Sequence, residues 1–339
     1  MRILKFGILS TASVNSYSFL PVIKKVAGAK LVAIASRDPE VASRYAARHG
    51  ITKSYGGYAA LLADPQIDCV YIPLPVSMHA EWSIRALEAG KHVLCEKPVA
   101  ANMAEALAIA ETVKKTRLTF AEAFHYRYHP LASRVEGIVR SGDIGEIRKI
   151  TAVFGTFLPD KNKVQFKPEL AGGALLDVGC YPVSFTRWIA DCDTARVVAA
   201  HAEMIRSGVD GTTRATLEFE NGVKAKIHCS LIKLIPMSAL IRGTKGDLFI
   251  LSPFSPSVAV GPLLFNTHLL ILRCGRKIRS IRVPSGLTYH CQLVSFCEAV
   301  RSGRQPITNA EEGVANMRLI DAIFQKAGVR KPQTDAPEP

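Results

Sequence analysis

Leu4-Lys5-Phe6-Gly7-Ile8-Leu9-Ser10-Thr11-Ala12-Ser13 opens the chain with an apolar run that ends in small and hydroxylated residues. Leu4 to Leu9 reads as a buried strand, and the residues after it as a tight turn. A dinucleotide site needs small residues at such a turn, because the backbone must approach a pyrophosphate. Here Ser10, Ala12 and Asn15 stand where a G-x-G-x-x-G fingerprint would place glycines.

Outward from that turn, helical and strand patterns alternate. Phe19 to Val26 has helical spacing, and Lys30 to Ala35 is a second strand. Val41 to His49 and Ala59 to Ala63 are helical, Cys69 to Ile72 is a third strand, and His79 to Ala89 is an amphipathic helix. Lys91 to Cys95, Met103 to Lys115 and Leu118 to Phe120 continue the series. This alternation predicts right-handed βαβ units and a parallel sheet. After about residue 125 the pattern changes. A helix at Leu131 to Ser141 precedes long β-rich stretches at Ile147 to Phe157, Val197 to Met204, Arg214 to Phe219, Lys224 to Leu231 and Ala239 to Gly243. Asn221-Gly222 marks a hairpin. Pro253 to Pro262 is expected to be irregular, and His290 to Arg301 and Ala310 to Lys326 helical. The expected organisation is α/β: a Rossmann domain over 1–125, an α+β domain with an open, mostly antiparallel sheet over 126–330, and a frayed tail over 331–339.

Composition narrows the function classes. A chain of 339 residues with 48% hydrophobic and 21% charged residues is globular and long enough for two cores. No apolar run approaches the roughly 18 residues of a membrane span, and the N-terminus is too short in apolar residues for a secretory signal. A cytoplasmic protein without a membrane partner is expected. The cysteines at 69, 95, 180, 192, 229, 274, 291 and 297 form no C-x-x-C pair and no zinc spacing, so no metal is expected. The net charge of +14 is spread along the chain, which argues against a nucleic-acid partner and suits either an anionic cofactor or substrate or a solvated basic surface that aids solubility.

Chemistry is expected at the strand ends. Ser36 and Arg37 follow the second strand, where an acidic residue would accept from the ribose 2′-hydroxyl of NAD. A guanidinium there suits a 2′-phosphate, so NADP(H) is favoured, with NAD(H) kept as the alternative. Leu74, Pro75 and His79 follow the third strand, and Glu96-Lys97-Pro98 the fourth, at the edge where open α/β sheets bind ligands.

With these residues the chain resembles the Gfo/Idh/MocA oxidoreductases, named after glucose-fructose oxidoreductase and inositol dehydrogenase. The resemblance rests on Gly7 to Ala12, Ser36-Arg37-Asp38, Tyr71 to Pro75 with His79, Ala86 to Pro98, Phe124 to Pro130, and most specifically Pro168 to Pro182. It implies that Lys97 is catalytic and reaches the nicotinamide ribose and the substrate. Many members carry Asp-x-x-x-His in the second domain; here Asp177 is kept and Tyr181 stands at the histidine position. That substitution resembles the branch of dihydrodiol and xylose dehydrogenases and NADP-dependent sugar 3-ketoreductases, in which the tyrosine is the proposed acid/base.

The resemblance further implies a cofactor site built from Gly7, Ser10, Thr11, Ala12, Ser36, Arg37, Leu74, Pro75, His79, Glu96, Lys97 and Arg127. Ser10 departs from the glycine usual in the family. The expected reaction is hydride transfer between nicotinamide and a secondary alcohol or ketone of a sugar, sugar nucleotide or polyol-like substrate. Alternatives are a trans-dihydrodiol or aldose dehydrogenase, and a non-catalytic dinucleotide-sensing regulator. A homo-oligomer, dimer or tetramer, through the C-terminal sheet is expected.

Overall fold

The computed structural model describes residues 2–255, 267–284 and 288–329. The chain divides into two units, Met1–His125 with Tyr289–Val314, and Tyr126–Thr288 with Ala315–Pro339. The expected continuous second domain is therefore interrupted, because residues 289–314 return to the first unit.

The first unit runs β1 (Leu4–Leu9), α1 (Leu20–Ile23), β2 (Ala29–Ala35), α2 (Pro39–His49), β3 (Lys53–Tyr55), α3 (Tyr58–Leu62), β4 (Cys69–Ile72), α4 (His79–Glu88), β5 (His92–Cys95), α5 (Met103–Thr116) and β6 (Phe120–Glu122). Among the described residues its strands form one sheet in the order β3-β2-β1-β4-β5-β6, with every pairing parallel. Chain order reverses between β1 and β4, so a crevice opens beyond their C-terminal ends. β1, β4 and β5 are apolar nearly throughout because helices cover both faces of a parallel sheet. Local sequence sets the helix starts. Asp38 accepts from the amides of Glu40 and Val41 ahead of Pro39 to open α2. Asn102 and Glu105 cap α5 reciprocally, Glu105 N–H to Asn102 Oδ1 and Ala101 N–H to Glu105 Oε2, each at 3.0 Å.

The second unit holds α6 (Pro130–Arg140), β7 (Ile147–Gly155), α7 (Cys180–Ala190) and β8 (Ala195–Met204), β9 (Asp210–Phe219), β10 (Lys224–Ser230), β11 (Ser238–Gly243), β12 (Gly246–Leu251), β13 (Thr267–Cys274) and β14 (Lys277–Pro284). Its sheet, in the order β14-β13-β12-β11-β7-β10-β9-β8, is antiparallel except where β7 lies parallel to β10. The turn at Asn221-Gly222 joins β9 to β10, with the Phe219 amide donating to Val223 O at 2.8 Å. An alternation of apolar and polar residues is visible in β9: Ala215, Leu217 and Phe219 are buried, while Arg214, Thr216 and Glu218 face away from the core.

Two helices close the chain, α8 (Thr288–Ser302) and α9 (Ala310–Lys326). α8 returns because its apolar stripe belongs to the first core. Leu293, Phe296 and Cys297 pack with Phe6, Phe19 and Tyr71, and the Phe6 and Phe296 rings lie 6.1 Å apart. Burying such side chains contributes about 1.5–3 kcal/mol each. Of the stretch expected to be irregular, residues 256–262 lie outside the described residues, as does the tail over 331–339. No helix among the described residues is long and apolar enough to cross a membrane.

Candidate active site

In the first unit, β1 is followed directly by Ser10, whose φ is 126°, a conformation that favours glycine. Two contacts hold the turn: Ala12 N–H donates to Ser10 Oγ at 3.1 Å, and Asn15 Nδ2 donates to Ser10 O at 2.8 Å. Ser10, Thr11 and Ala12 are partly exposed beyond the strand end. Gly7, expected at the cofactor, instead lies within β1. A Cβ there would meet Leu61 Cδ2 at 2.7 Å, so this glycine lets α3 approach the strand.

Ser36 is half-buried and Arg37 exposed after β2. The Arg37 charge is near enough to Tyr58 to pull its hydroxyl down, although burial wins and the phenol titrates above its usual value. Asp38, the acid nearest the end of β2, is occupied as the cap of α2, with the Glu40 amide 2.8 Å from Oδ1. Ser36 and Arg37 stand beside it at that edge.

Leu74 is buried and Pro75 partly exposed after β4. His79, expected beside the cofactor, is 1% exposed. Its Nδ1 lies 2.7 Å from Pro98 O and its Nε2 2.8 Å from Leu74 O. The ring sits between the loop after β4 and the loop after β5 and, when neutral, donates to one of these two carbonyls. Burial pushes the ring down to about 4, the Lys97 charge adds to that, and the two carbonyls act in the opposite direction.

Glu96 and Lys97 are half-buried at the end of β5, followed by a cis Lys97–Pro98 bond. Tyr71 OH donates to Glu96 Oε1 at 2.6 Å and lies 3.1 Å from Ser18 Oγ. The Lys97 amide approaches Glu96 Oε2 at 3.3 Å. Burial and the Glu96 charge push both the Tyr71 and Tyr289 hydroxyls upward, so each remains a proton donor beside this carboxylate. Neither tyrosine was legible as a site residue: Tyr71 lies in a short apolar strand, where an aromatic reads as core, and Tyr289 lies on α8, far from it in sequence.

In the second unit, Arg127 follows His125 on a short 3-10 turn, and its guanidinium lies over the Trp188 ring at 4.4 Å. A π-turn over Leu175–Gly179 runs directly into α7. It carries half-buried Asp177, while Tyr181 lies on α7 and is 7% exposed. Such turns alter side-chain spacing and are frequent at functional sites. The Tyr181 ring packs 5.4 Å from Phe154 and 5.9 Å from Tyr126. Asp210, which the sequence reading did not single out, supports the start of this segment. Its Oδ2 accepts from the Leu175 amide at 2.8 Å and from Thr213 Oγ1 at 2.6 Å.

The first unit thus offers what a dinucleotide requires: a small-residue turn at the switch point, and a guanidinium with a hydroxyl at the end of β2. The comparisons agree. Residues 4–124 match the oxidoreductase family with an NAD-binding Rossmann fold, and residues 133–249 match the GFO/IDH/MocA C-terminal domain. The chain is 36% identical to D-xylose 1-dehydrogenase (NADP(+)) 2 of Haloferax volcanii, over 95% of this chain and 97% of the relative. It is 32% identical to dTDP-3,4-didehydro-2,6-dideoxy-alpha-D-glucose 3-reductase of Saccharopolyspora spinosa, over 95% and 96%. KijD10, a 3-ketoreductase from Actinomadura kijaniata solved with NADP and TDP-benzene, superposes with a TM-score of 0.87 at 28% identity, covering 96% of this chain and 98% of its own. The chain belongs to the Gfo/Idh/MocA oxidoreductase family.

Proposed function

We propose that this enzyme uses NADP(H) to interconvert a secondary alcohol and a ketone on a sugar, sugar nucleotide or polyol-like substrate. The observation that carries the cofactor preference is the end of β2. Asp38 caps α2 through Oδ1, and Ser36 and exposed Arg37 beside it suit a 2′-phosphate. The relatives named as an NADP(+) xylose dehydrogenase and a dTDP-sugar reductase support the same reading.

When bound, the nicotinamide supplies or takes up a hydride at the carbinol carbon. The remaining work falls to side chains. Tyr181 delivers a proton to the carbonyl oxygen during reduction and recovers it during oxidation. The Lys97 ammonium favours the phenolate and stabilises negative charge on the substrate oxygen. Asp177 accepts a hydrogen bond from a substrate hydroxyl, and Glu96, fixed by Tyr71, orients the strand end that carries Lys97.

Two copies are proposed to associate through the C-terminal sheet, where Thr151, Leu240, Phe249 and Ile271 lie in register across β7, β11, β12 and β13. Leu240→Asp should reduce the mass measured by light scattering to that of a monomer. The catalytic reading is tested by supplying NADP(H) and NAD(H) with a panel of aldoses, dTDP-sugars, their keto forms and trans-dihydrodiols. Turnover of a sugar with NADP(H) preferred is expected. Turnover confined to aromatic dihydrodiols would replace the substrate class, and dinucleotide binding without any turnover would point to a sensor.

A further inference from the structure

Asp210 begins β9 and is 2% exposed, yet it makes no ion pair among the described residues. Its carboxylate takes hydrogen bonds from the Leu175 amide and the Thr213 hydroxyl, and the amides of Ala174 and of Asp210 itself also hold the charge. Ala174 and Leu175 open the helical segment that carries Asp177 and then Tyr181. First-turn amides have no partner within a helix, and a negative charge complements the positive end of its dipole. The local sequence cannot supply the cap: Gly172, Gly173 and Ala174 have no acceptor side chain, so it comes from 35 residues further along. Gly173 leaves the room. At its φ of 120°, a Cβ would lie 2.2 Å from Asp210 Oδ1.

We propose that Asp210 is a positioning residue: its buried carboxylate clamps the start of the helix that carries Asp177 and Tyr181 and so sets where both side chains stand. The inference rests on the reading of Tyr181 as the acid/base. It also gives the clamp a pH dependence. Burial pushes the carboxyl up to about 6, against the donors that hold it down. The groups facing it are Thr213 from β9, Cys229 from β10 and the two helix amides; the Cys229 thiol is itself pushed up by burial and by the Asp210 charge, with Cys180 of α7 adding to that. None of these is a cation. Protonation below about pH 6 removes the charge and converts one acceptor oxygen to a donor.

The test is amide hydrogen exchange on the full chain across pH 5 to 8, corrected for intrinsic rates, with kcat and KM for the fastest substrate of the panel above. In the wild type, protection of residues 173–181 should fall about tenfold below the transition near pH 6, and kcat should fall over the same range without loss of NADPH affinity. Asp210→Asn should show the low protection and low kcat throughout. Thr213→Val removes a donor to the ionised form, so it should move the transition to higher pH. It decides the matter alone if Asp210→Asn does not fold. Unchanged protection in Asp210→Asn, or a transition that Thr213→Val leaves in place, would overturn the proposal, as would protection that follows Asp210 while kcat does not. Full turnover by Tyr181→Phe would bring down the acid/base reading instead and leave the clamp standing.

Discussion

Ser10 Oγ accepts a hydrogen bond from the Ala12 amide at 3.1 Å while Ser10 itself holds a φ of 126°. The side chain thus satisfies an amide in the turn where a pyrophosphate is expected to bind, from a conformation that suits glycine. Ser10→Gly removes strain of about 1–3 kcal/mol but loses a hydrogen bond of about 0.5–1.5 kcal/mol and adds chain entropy of about 0.5–1 kcal/mol to the unfolded state. Its melting temperature should stay near that of the wild type. Ser10→Ala loses the hydrogen bond and keeps the strain, so it should be the less stable variant by about 1 kcal/mol. Both should bind NADPH more tightly, because the Ala12 amide is freed. Thermal melts and fluorescence titrations check this; an alanine variant more stable than the glycine variant would rule out the strain.

Arg37→Asp should reverse cofactor preference. A charge-assisted hydrogen bond contributes about 1.5–3 kcal/mol, so losing it and placing a carboxylate against a 2′-phosphate should weaken NADPH binding at least tenfold. NADH binding should hold or improve, since aspartate accepts from a ribose hydroxyl. Titration of both dinucleotides decides it, and an unchanged ratio would place the 2′-phosphate away from Arg37.

His79 is where reading from sequence and reading from structure part. A histidine just beyond a strand end reads as a ligand, and only the positions of Leu74 O and Pro98 O reveal a buried tie. The same limit explains Asp210, whose partners at Ala174 and Leu175 are far away in sequence. What was legible rests on local pattern: the apolar run of β1, the alternation down to β6, the Asn221-Gly222 turn, and the place of Lys97 just beyond β5, whereas α7 was not expected. Three-residue β3 was too short to show a period. β12 and β13 lack a clean alternation of apolar and polar residues, so neither announced itself. The return of α8 depends on which core its apolar stripe fits, and no window of sequence carries that.

The tie makes its own prediction. Burial lowers the His79 pKa to about 4, below the value of 6.5 for a free ring. The unfolded chain therefore takes up a proton at a higher pH than the folded one, and the stability contributed by the neutral ring is full above about pH 6.5 and lost as pH falls toward 4. His79→Gln keeps a donor without titrating. The stability advantage of the wild type over it should be largest above pH 6.5 and shrink by about 1.4 kcal/mol per pH unit below that. Denaturant melts of the two proteins across this range measure the difference; a constant gap would mean that the ring titrates in the folded state where it does in the unfolded chain.

Tyr181→Phe removes one oxygen from a ring that the surrounding aromatics continue to hold. Phe154, Tyr126 and Phe254 pack against the ring at 5.4, 5.9 and 5.8 Å, so the phenylalanine should occupy the same space and the fold should survive. NADPH affinity should change little. General acid/base catalysis contributes about 10²–10⁴-fold, so kcat should fall by that order while KM moves less. Lys97→Ala should lower kcat as well, and the double variant should lose less than the product of the two, because the ammonium acts on the phenol it no longer finds. Fully multiplicative losses would show that the two side chains work independently, and would remove Lys97 from the proton transfer.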